Sequence, residues 1–362
     1  MRTVGVEEEL LLVDADSGEP KALSAAVLAR AAEDHRGQDV FQEELFGQML
    51  EFATHPQRDM ADLRAEIVHC RKEAALLAGE AGGAVAALAT CPLPITPALT
   101  RRERYEWMAG QFGTATHDQL VCGCHVHVAV ESDEEGVAVI DRLRPWLAVL
   151  RAISANSPFW QGQDTGYAGY RSRLWARCPS SGPTELFGSA ERYHRQVADM
   201  VASGVILDGA MVYFDARLSA KHPTVEIRVA DVCLRAATTV LVAALARALV
   251  ETAARDWRAG RPPLDHSVSL LRMAAWHAAH SGLDKDLLDP VTMRPRPAEQ
   301  VLRSLLEHSG QALADHGDAA LAEEAVAELM RRGNGAREQR LLLEQTGSLR
   351  SVVTECVRRT QD

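Results

Sequence analysis

The run from Thr3 to Val13 is the feature that most restricts how this sequence can fold, because three consecutive acids stand inside an apolar stretch. Side chains of a β-strand alternate between faces, so Glu7 and Glu9 share one face and Glu8 lies on the other. The two same-face carboxylates are expected roughly 6.5–7 Å apart along the strand. Burying like charges is costly without a compensating partner, and we therefore predict that this pair faces a divalent metal.

A second run from Cys122 reads Cys-Gly-Cys-His-Val-His-Val, which at first suggests a zinc site. Strand alternation argues against zinc, because Cys122 and Cys124 share one face whereas His125 and His127 share the other. Two interpretations of the histidines remain open. They are core side chains satisfied by hydrogen bonds, or one ligates a metal while the other contacts a phosphate.

A third run from Thr224 to Asp231 reads Thr-Val-Glu-Ile-Arg-Val-Ala-Asp. Alternation places Glu226 and Arg228 on one face and the branched apolar side chains on the other. The simpler interpretation is an ion pair across the face. The functional interpretation gives Glu226 to a metal and Arg228 to a phosphate, which a guanidinium group binds through two hydrogen bonds.

Residues 39–54 form a further mixed apolar and acidic run, predicted as a strand or hairpin with Gly47 at its bend. Carboxylate-rich ligation suits Mg²⁺, and imidazole ligands allow Mn²⁺ as well. Several acids beside an arginine indicate more than one metal holding a polyphosphate. The predicted constellation, all on strands, is Glu7, Glu9, Glu51, one or both of His125 and His127, Glu226 and Arg228.

The order of elements predicts an α+β fold with a mainly antiparallel sheet and helices on one side. We expect one domain over residues 1–362, in which residues 1–235 carry most of the sheet and the active site, whereas residues 236–362 are mainly helical. A long helix is predicted from Ser132 to Asn156, bent at Pro145, and a strand at residues 213–215. The stretch 157–183 is predicted as a long functional loop.

Charge and composition exclude several classes of protein. The net charge of −11, from 50 acids against 39 Lys and Arg, argues against binding to nucleic acids or anionic membranes. The longest apolar stretch, Ala236 to Ala246, ends at Arg247 and is too short to span a membrane. The start of the chain lacks the pattern of a secretory signal. Seven scattered cysteines favour reduced thiols, so we expect a cytoplasmic protein.

Familiar nucleotide and hydrolase motifs are absent from the sequence. It contains no Gly-x-x-x-x-Gly-Lys-Ser/Thr, no Gly-x-Gly-x-x-Gly after a strand and no Gly-x-Ser-x-Gly. Neither a P-loop enzyme nor a dinucleotide-binding fold is therefore indicated.

Six motifs in a specific order carry a resemblance to a known family. They are Gly-Val-Glu-Glu-Glu at 5–9, Gln-Met-Leu-Glu-Phe-Ala-Thr at 48–54, His-Val-His-Val at 125–128, Ser-Pro-Phe-Trp-Gln-Gly-Gln-Asp-Thr at 157–165, Arg171, and Thr-Val-Glu-Ile-Arg-Val-Ala-Asp at 224–231. Over nearly its whole length the chain resembles the type 2 glutamate–cysteine ligase family. These are bacterial carboxylate–amine ligases with a glutamine-synthetase-like catalytic fold.

The resemblance implies a curved sheet with helices on its convex face and with ATP and two or three Mg²⁺ on its concave face. By position, Glu7 and Glu9 match the metal pair of the family, and Glu51 is implied as a further ligand. Glu226 and Arg228 match its late Glu-x-Arg strand.

Roles for the remaining site residues also follow from the resemblance. Of the two histidines, His125 is taken as a metal ligand and His127 as a contact to the nucleotide, although the family pattern does not separate them. Arg171 aligns with an arginine that binds nucleotide or substrate, and together with Arg228 it is predicted to be catalytic. Glu8 replaces a residue that is apolar in many relatives, and we expect it on the outer face or between subunits.

The implied activity is an ATP-dependent carbon–nitrogen ligase of the EC 6.3.2 type, with weak glutamate–cysteine ligase activity as one form. Amide formation would run through an acyl phosphate, and closure of the 157–183 loop would keep water away from it. Small-molecule carboxylates and amines, amino acids among them, are the expected partners, and a homodimer is compatible with the sequence. The alternatives are a phosphagen-kinase-like phosphotransferase and a degenerate ligase that binds a metabolite.

Overall fold

The computed structural model describes residues 1–33 and 40–362, so the first residue of the predicted 39–54 run, Asp39, lies outside the described part. The strands of the described part are β1 (Val4–Val13), β2 (Phe41–Glu43), β3 (Met49–Ala53), β4 (Ala84–Ala86), β5 (Gly123–Ala129), β6 (Phe159–Trp160), β7 (Gln163–Asp164), β8 (Ala216–Leu218), β9 (Thr224–Asp231), β10 (Asp286–Leu288) and β11 (Pro295–Pro297).

The helices of the described part are α1 (Ser24–Glu33), α2 (Met60–Glu80), α3 (Glu103–Phe112), α4 (Thr114–His117), α5 (Asp133–Leu143), α6 (Leu147–Ser154), α7 (Arg171–Trp175), α8 (Ala190–Ala202), α9 (Ala236–Arg258), α10 (Val268–Ser281), α11 (Ala298–His316), α12 (Ala319–Arg332), α13 (Gly335–Thr346) and α14 (Leu349–Thr360). A single 3₁₀ turn covers Gly209–Met211.

One antiparallel sheet organises the molecule. Within the described residues it has seven strands in the order β2-β3-β1-β5-β9-β8, with β4 also pairing with β1. Strand β1 lies centrally and pairs with β3 on one side and β5 on the other, and both pairings are antiparallel. Helices α5, α6 and α9 pack against the strands, and α2 packs against α9. The predicted α+β class with an antiparallel sheet is therefore confirmed.

Alternation along β1 explains why this strand can separate two environments. Val4, Val6 and Leu10 are almost fully buried on the face that packs against the helices. Apolar side chains of β5 and β9, including Val126 and Ile227, are buried on the same face. The helical layer therefore covers one face of the sheet, and the polar residues of these strands, apart from Glu8, lie on the other face.

Helix α9 is the central helix of the core. It is long and apolar enough to cross a membrane by length and composition, but 83% of its apolar window is buried inside the fold. A helix that is hydrophobic on all sides must be buried, and here strands β1 and β5 and helices α2, α5, α11 and α12 cover it. The apolar composition of α9 is therefore explained by its position in the hydrophobic core.

Four local predictions from the sequence need adjustment. The helix predicted from 132 to 156 is two helices, α5 and α6, because Pro145 lies in the break and lacks the N–H that a continuous helix needs. The strand predicted at 213–215 lies at Ala216–Leu218 instead. The 157–183 stretch contains the β6–β7 hairpin and α7 and is not a plain loop. The helical C-terminal part also contains the short β10–β11 hairpin.

Candidate active site

The polar face of the sheet collects acids and histidines from neighbouring strands. In the antiparallel register, Glu7 lies opposite His125 on β5, and Glu9 lies opposite Glu51 on β3. One strand further, His127 lies opposite Glu226 on β9. Directly paired residues project to the same face, so the sheet brings these side chains together by register alone.

Three groups of candidate ligand atoms form on this face, and in each group the atoms lie within 4.8 Å of one another. The groups are Glu7, His127 and Glu226; Glu7, Glu51 and His125; and Glu9, Glu44 and Glu51. The first and second groups share Glu7, and the second and third share Glu51, so the groups form a continuous row across the sheet. We call these seven side chains the donor cluster.

Electrostatic conditions differ between the two ends of the donor cluster. Burial and the charge of Glu9 raise the pKa of Glu44 to about 7. Burial and the neighbouring acids, Glu44 first, also raise the pKa of Glu51 well above its usual value. At this end the acids repel one another and there is too little positive charge to compensate them.

At the other end, hydrogen bonds from the histidines and the charges of the arginines outweigh the effect of burial on the carboxyl pKa values. Burial disfavours the ionised form of Glu7, but its contacts with His125 and His127 hold the pKa of that carboxyl well below its usual range. Burial likewise opposes ionisation of Glu226, but the charges of Arg228 and Arg217 lower its pKa to about 2.

Both histidines are held in place through Nδ1. His125 Nδ1 lies 3.1 Å from Glu7 Oε2, and His127 Nδ1 lies 3.0 Å from the hydroxyl of Thr224. Burial, followed by the charge of Arg228, lowers the pKa of His125, so its imidazole is neutral at neutral pH. A neutral imidazole that is fixed through one nitrogen can offer the other to a metal.

The donor set fits a divalent cation. His127 Nε2 is buried without a hydrogen-bond partner in the described part of the chain, although it lies 3.2 Å from Glu7 Oε1. An unsatisfied buried nitrogen beside a row of crowded carboxylates is an arrangement that a positive ion would complete. The five acids and two imidazoles of the donor cluster are ligands that Mg²⁺ or Mn²⁺ accepts.

Arginines border the donor cluster on strands β8 and β9. Arg228 pairs with Glu226, and Arg217 binds the same carboxylate with its Nε 2.7 Å from Oε2. The Arg228 guanidinium also lies 5.9 Å from the ring centroid of Tyr213. Its Nε is buried and has no hydrogen-bond partner among residues 1–33 and 40–362, so Arg228 retains a donor for a ligand beside the donor cluster.

Arg171 borders the donor cluster at β5. Its guanidinium packs so closely under Gly123 that an added Cβ there would lie 2.1 Å from Arg171 Nη2. The backbone N–H of Gly123 in turn donates a hydrogen bond to the Glu9 carboxylate. Arg171 lies 4.0 Å from Asp231, and no residue that the structure describes forms a hydrogen bond with its buried Nε. Position 123 therefore requires glycine because the arginine occupies the space of a side chain.

Glu8 lies on the opposite face of β1, as alternation predicts, but the expectation of an outer-face or inter-subunit acid is wrong. The side chain is fully buried and forms a two-pronged ion pair with Arg71, with both N–O distances 2.8 Å. The hydroxyl of Thr239 donates a further hydrogen bond of 2.6 Å to the same carboxylate. Helices α2 and α9 thus provide the partners that a buried acid needs.

The cysteines stay apart from the ligand groups. Among the described residues, none of the candidate metal groups includes a cysteine. Burial raises the pKa of both Cys122 and Cys124 well above the usual value, so both remain thiols. The argument from strand faces against a Cys/His zinc site agrees with this arrangement.

The structure brings all the sequence-predicted residues together and adds two that the sequence reasoning missed. Glu44 follows β2 in a turn, where the alternation of a strand no longer predicts which way a side chain points. Arg217 lies on the short strand β8, two residues beyond the predicted one. The sequence signal for Glu44 was the Glu43–Glu44 pair before Gly47. Arg217 had no such signal, because its position opposite Glu226 follows from the antiparallel pairing of β8 with β9.

Comparison with known proteins gives a consistent result. The model of the glutamate–cysteine ligase family 2 matches residues 3–355. A Streptomyces avermitilis protein provisionally named glutamate–cysteine ligase 2-1 is 73% identical over 361 residues, covering 100% of both chains. A Streptomyces coelicolor protein provisionally named glutamate–cysteine ligase 2 is 69% identical and covers 100% of this chain and 99% of its own.

Solved structures share the fold at low sequence identity. The glutamate–cysteine ligase of Francisella tularensis in complex with AMP aligns with a TM-score of 0.70 at 12% identity, over 99% of this chain and 88% of that one. A bifunctional glutathione synthetase of Pasteurella multocida aligns with a TM-score of 0.69 at 16% identity, over 99% of this chain and 51% of that one. The ligase PafA in complex with the ubiquitin-like protein Pup aligns with a TM-score of 0.54 at 13% identity, over 95% of this chain and 68% of that one.

Proposed function

Because the chain belongs to glutamate–cysteine ligase family 2, we propose that it is an ATP-dependent carboxylate–amine ligase whose active site is the donor cluster with Arg171 and Arg228. The observation that carries this assignment is the continuous row of three ligand groups on one face of the sheet. A relative crystallised with AMP supports nucleotide use. Residues 1–362 are proposed to act as one catalytic domain, since one hydrophobic core includes residues from the sheet and from the C-terminal helices.

We assign Mg²⁺, with Mn²⁺ as a substitute, to the acids and both histidines of the donor cluster. When bound, Mg²⁺ neutralises charge on the ATP phosphates and orients them for in-line transfer. Each histidine belongs to one ligand group, His125 with Glu7 and Glu51 and His127 with Glu7 and Glu226, so His125 is proposed as a metal ligand and His127 as an alternative one. The earlier assignment of His127 to nucleotide contact stays a prediction.

In the proposed reaction, a substrate carboxylate oxygen attacks the γ-phosphorus of ATP, the bond to the bridging oxygen breaks, and ADP leaves. The amine then attacks the carbonyl carbon of the acyl phosphate and expels phosphate as the amide forms. Arg228 and Arg171, each with an unsatisfied buried Nε, offer positive charge where negative charge develops. Water exclusion by the 157–183 segment stays a prediction.

Product analysis tests the proposal. The protein is incubated with ATP, MgCl₂ and panels of amino acids and other carboxylates and amines, and ADP, phosphate and amide are measured. We expect equal amounts of all three with at least one pair, loss of activity in Glu7→Gln, and unchanged activity in the matched control Glu299→Gln on the exposed face of α11. A phosphorylated amine without free phosphate would instead establish the phosphagen-kinase-like alternative, which the family match does not favour.

Two further expectations remain proposals: a cytoplasmic location and a homodimer. The dimer can be tested by sedimentation of the purified protein, in which a mass of one chain, 39.4 kDa, would contradict it.

A further inference from the structure

A second polar feature lies beside the donor cluster and takes no part in the assignments made so far. It is a cavity of about 820 Å³ between the 172–183 segment and helix α10, with Arg151 of α6 and Asp215 also contributing to its walls. We call it the arginine cavity.

The charge of the arginine cavity is unbalanced. Three guanidinium groups, those of Arg151, Arg173 and Arg272, line it together with one carboxylate, that of Asp215. Arg151 uses that carboxylate, with Nη2 3.1 Å from Oδ1, and its own Nε is buried without a partner. Within the described residues, the guanidinium groups of Arg173 and Arg272 have neither a hydrogen bond nor an ion pair, although the charge of Arg272 acts on Asp215 from a greater distance. Unpaired guanidinium groups in a concave site favour an anionic ligand.

Large apolar side chains form much of the remaining walls, with serines between them. Trp175 and Trp276 line the arginine cavity, and Met273 beside them is 64% exposed. Large apolar side chains left open to solvent within a cavity indicate a ligand with an apolar body. The cavity volume falls in the range of sites for drug-sized ligands and exceeds the need of a small amino acid.

The arginine cavity and the donor cluster share a wall. Trp175 packs on Tyr213 with ring centroids 4.8 Å apart, and Tyr213 lies against Arg228. On α7, Arg171 borders the donor cluster, whereas Arg173 lines the cavity. One molecule could therefore present a reacting group to the donor cluster while its remainder occupies the cavity.

We propose that the arginine cavity binds the non-reacting part of the carboxylate substrate, and that this part carries an anionic group on an apolar or aromatic body. This inference rests on the proposed ligase function and narrows its substrate class. The base of a nucleotide is also flat, but neither the base nor the ribose carries a charge, so they would leave Arg173 and Arg272 unneutralised. A carboxylate neutralises them, which favours the substrate as occupant.

Binding of small probes tests this assignment without any need for turnover. By calorimetry, wild-type protein should bind 3-phenylpropionate about tenfold more tightly than 3-phenylpropionamide or propionate, because each analogue lacks one of the two recognised features. Arg272→Met and Arg173→Met should each weaken 3-phenylpropionate binding about tenfold. Arg177→Met, on the same segment but outside the cavity and beside Asp118, should not change it.

Equal affinity for the acid and its amide would overturn the assignment. It would also be overturned if ADP displaced 3-phenylpropionate and Arg272→Met weakened ADP binding to the same extent, since the cavity would then hold the nucleotide. Failure of the ligase proposal is recognised separately. In that case, amine-dependent phosphate release is absent with every substrate pair, whatever the probes show.

Discussion

The two faces of strand β1 place the same residue type in opposite circumstances. Glu8 faces the helices, where Arg71 and Thr239 satisfy its carboxylate completely within the protein. Glu7 and Glu9 face the opposite side, where further acids crowd them and a buried imidazole nitrogen is left without a partner. Adjacent residues of one strand therefore differ: Glu8 belongs to a complete ion pair, whereas Glu7 and Glu9 belong to a group of acids that lacks sufficient positive charge.

The difference between these faces distinguishes a structural acid from a functional one. A buried carboxylate with fixed partners holds elements together, and breaking the pair leaves an uncompensated charge. Carboxylates that repel one another reduce stability and are retained where a ligand supplies the missing charge. Substitutions on the two faces should accordingly affect different properties, and the following experiments test that separation.

The largest effect is expected on the donor face. Glu7 belongs to two of the three ligand groups, so Glu7→Gln should lower Mg²⁺-dependent ATP turnover by roughly 10³-fold. Unfolding by urea should change little, because the glutamine can still bond to His125. Turnover is measured with the substrate pair identified by product analysis. If the variant folds correctly and retains wild-type turnover, Glu7 is not a metal ligand.

The opposite face should show the reverse behaviour. Arg71→Met leaves the fully buried Glu8 unpaired and should lower the free energy of unfolding by roughly 3–5 kcal/mol, measured by urea denaturation. The double variant Glu8→Gln/Arg71→Met should lose less than Arg71→Met alone, because it removes the isolated charge. A double variant as unstable as the sum of both single variants would show that the pair is not coupled.

Gly123→Ala alters the donor face and leaves the helical face of the sheet untouched. The new methyl group would displace the Arg171 guanidinium, and we expect turnover to fall by about 10–100-fold. Stability should change little, since the displaced group is the flexible end of a side chain. Gly110→Ala, where a methyl group meets no atom within 4 Å, is the matched control and should keep full turnover.

Glu51→Gln should have the smallest effect of these substitutions, and it should raise the free energy of unfolding, whereas most substitutions lower it. It removes one of the crowded carboxylates, so in metal-free buffer with EDTA the free energy of unfolding should rise by about 1 kcal/mol. Urea denaturation beside wild type measures the change. A loss of stability would mean that Glu51 is held by favourable contacts, and the contrast between the two faces would then be weaker than described.

Much of the donor cluster follows from the sequence because strand alternation is strictly periodic. Alternation assigned Glu7 and Glu9 to one face of β1 and Glu226 and Arg228 to one face of β9 without knowledge of the fold. That both pairs lie on the same face of the sheet follows from the strand register. The partner of Glu8 could not, because Arg71 lies on a helix 63 residues away and only tertiary packing brings them together. Glu44 was missed for a related reason, since it lies in a turn where no periodicity applies. The break at Pro145 shows that local chemistry can also set a helix boundary.

The central claim is that the donor cluster binds divalent cations together with ATP. Counting bound Mn²⁺ by electron paramagnetic resonance tests it most directly, since the method requires no known substrate. With a non-hydrolysable ATP analogue, wild-type protein should bind more than one Mn²⁺ per chain. Glu7→Gln, which affects two ligand groups, should lose more bound ions than Glu44→Gln, which affects one. Absence of protein-bound Mn²⁺ in the wild type, or full binding in folded Glu7→Gln, would contradict the claim.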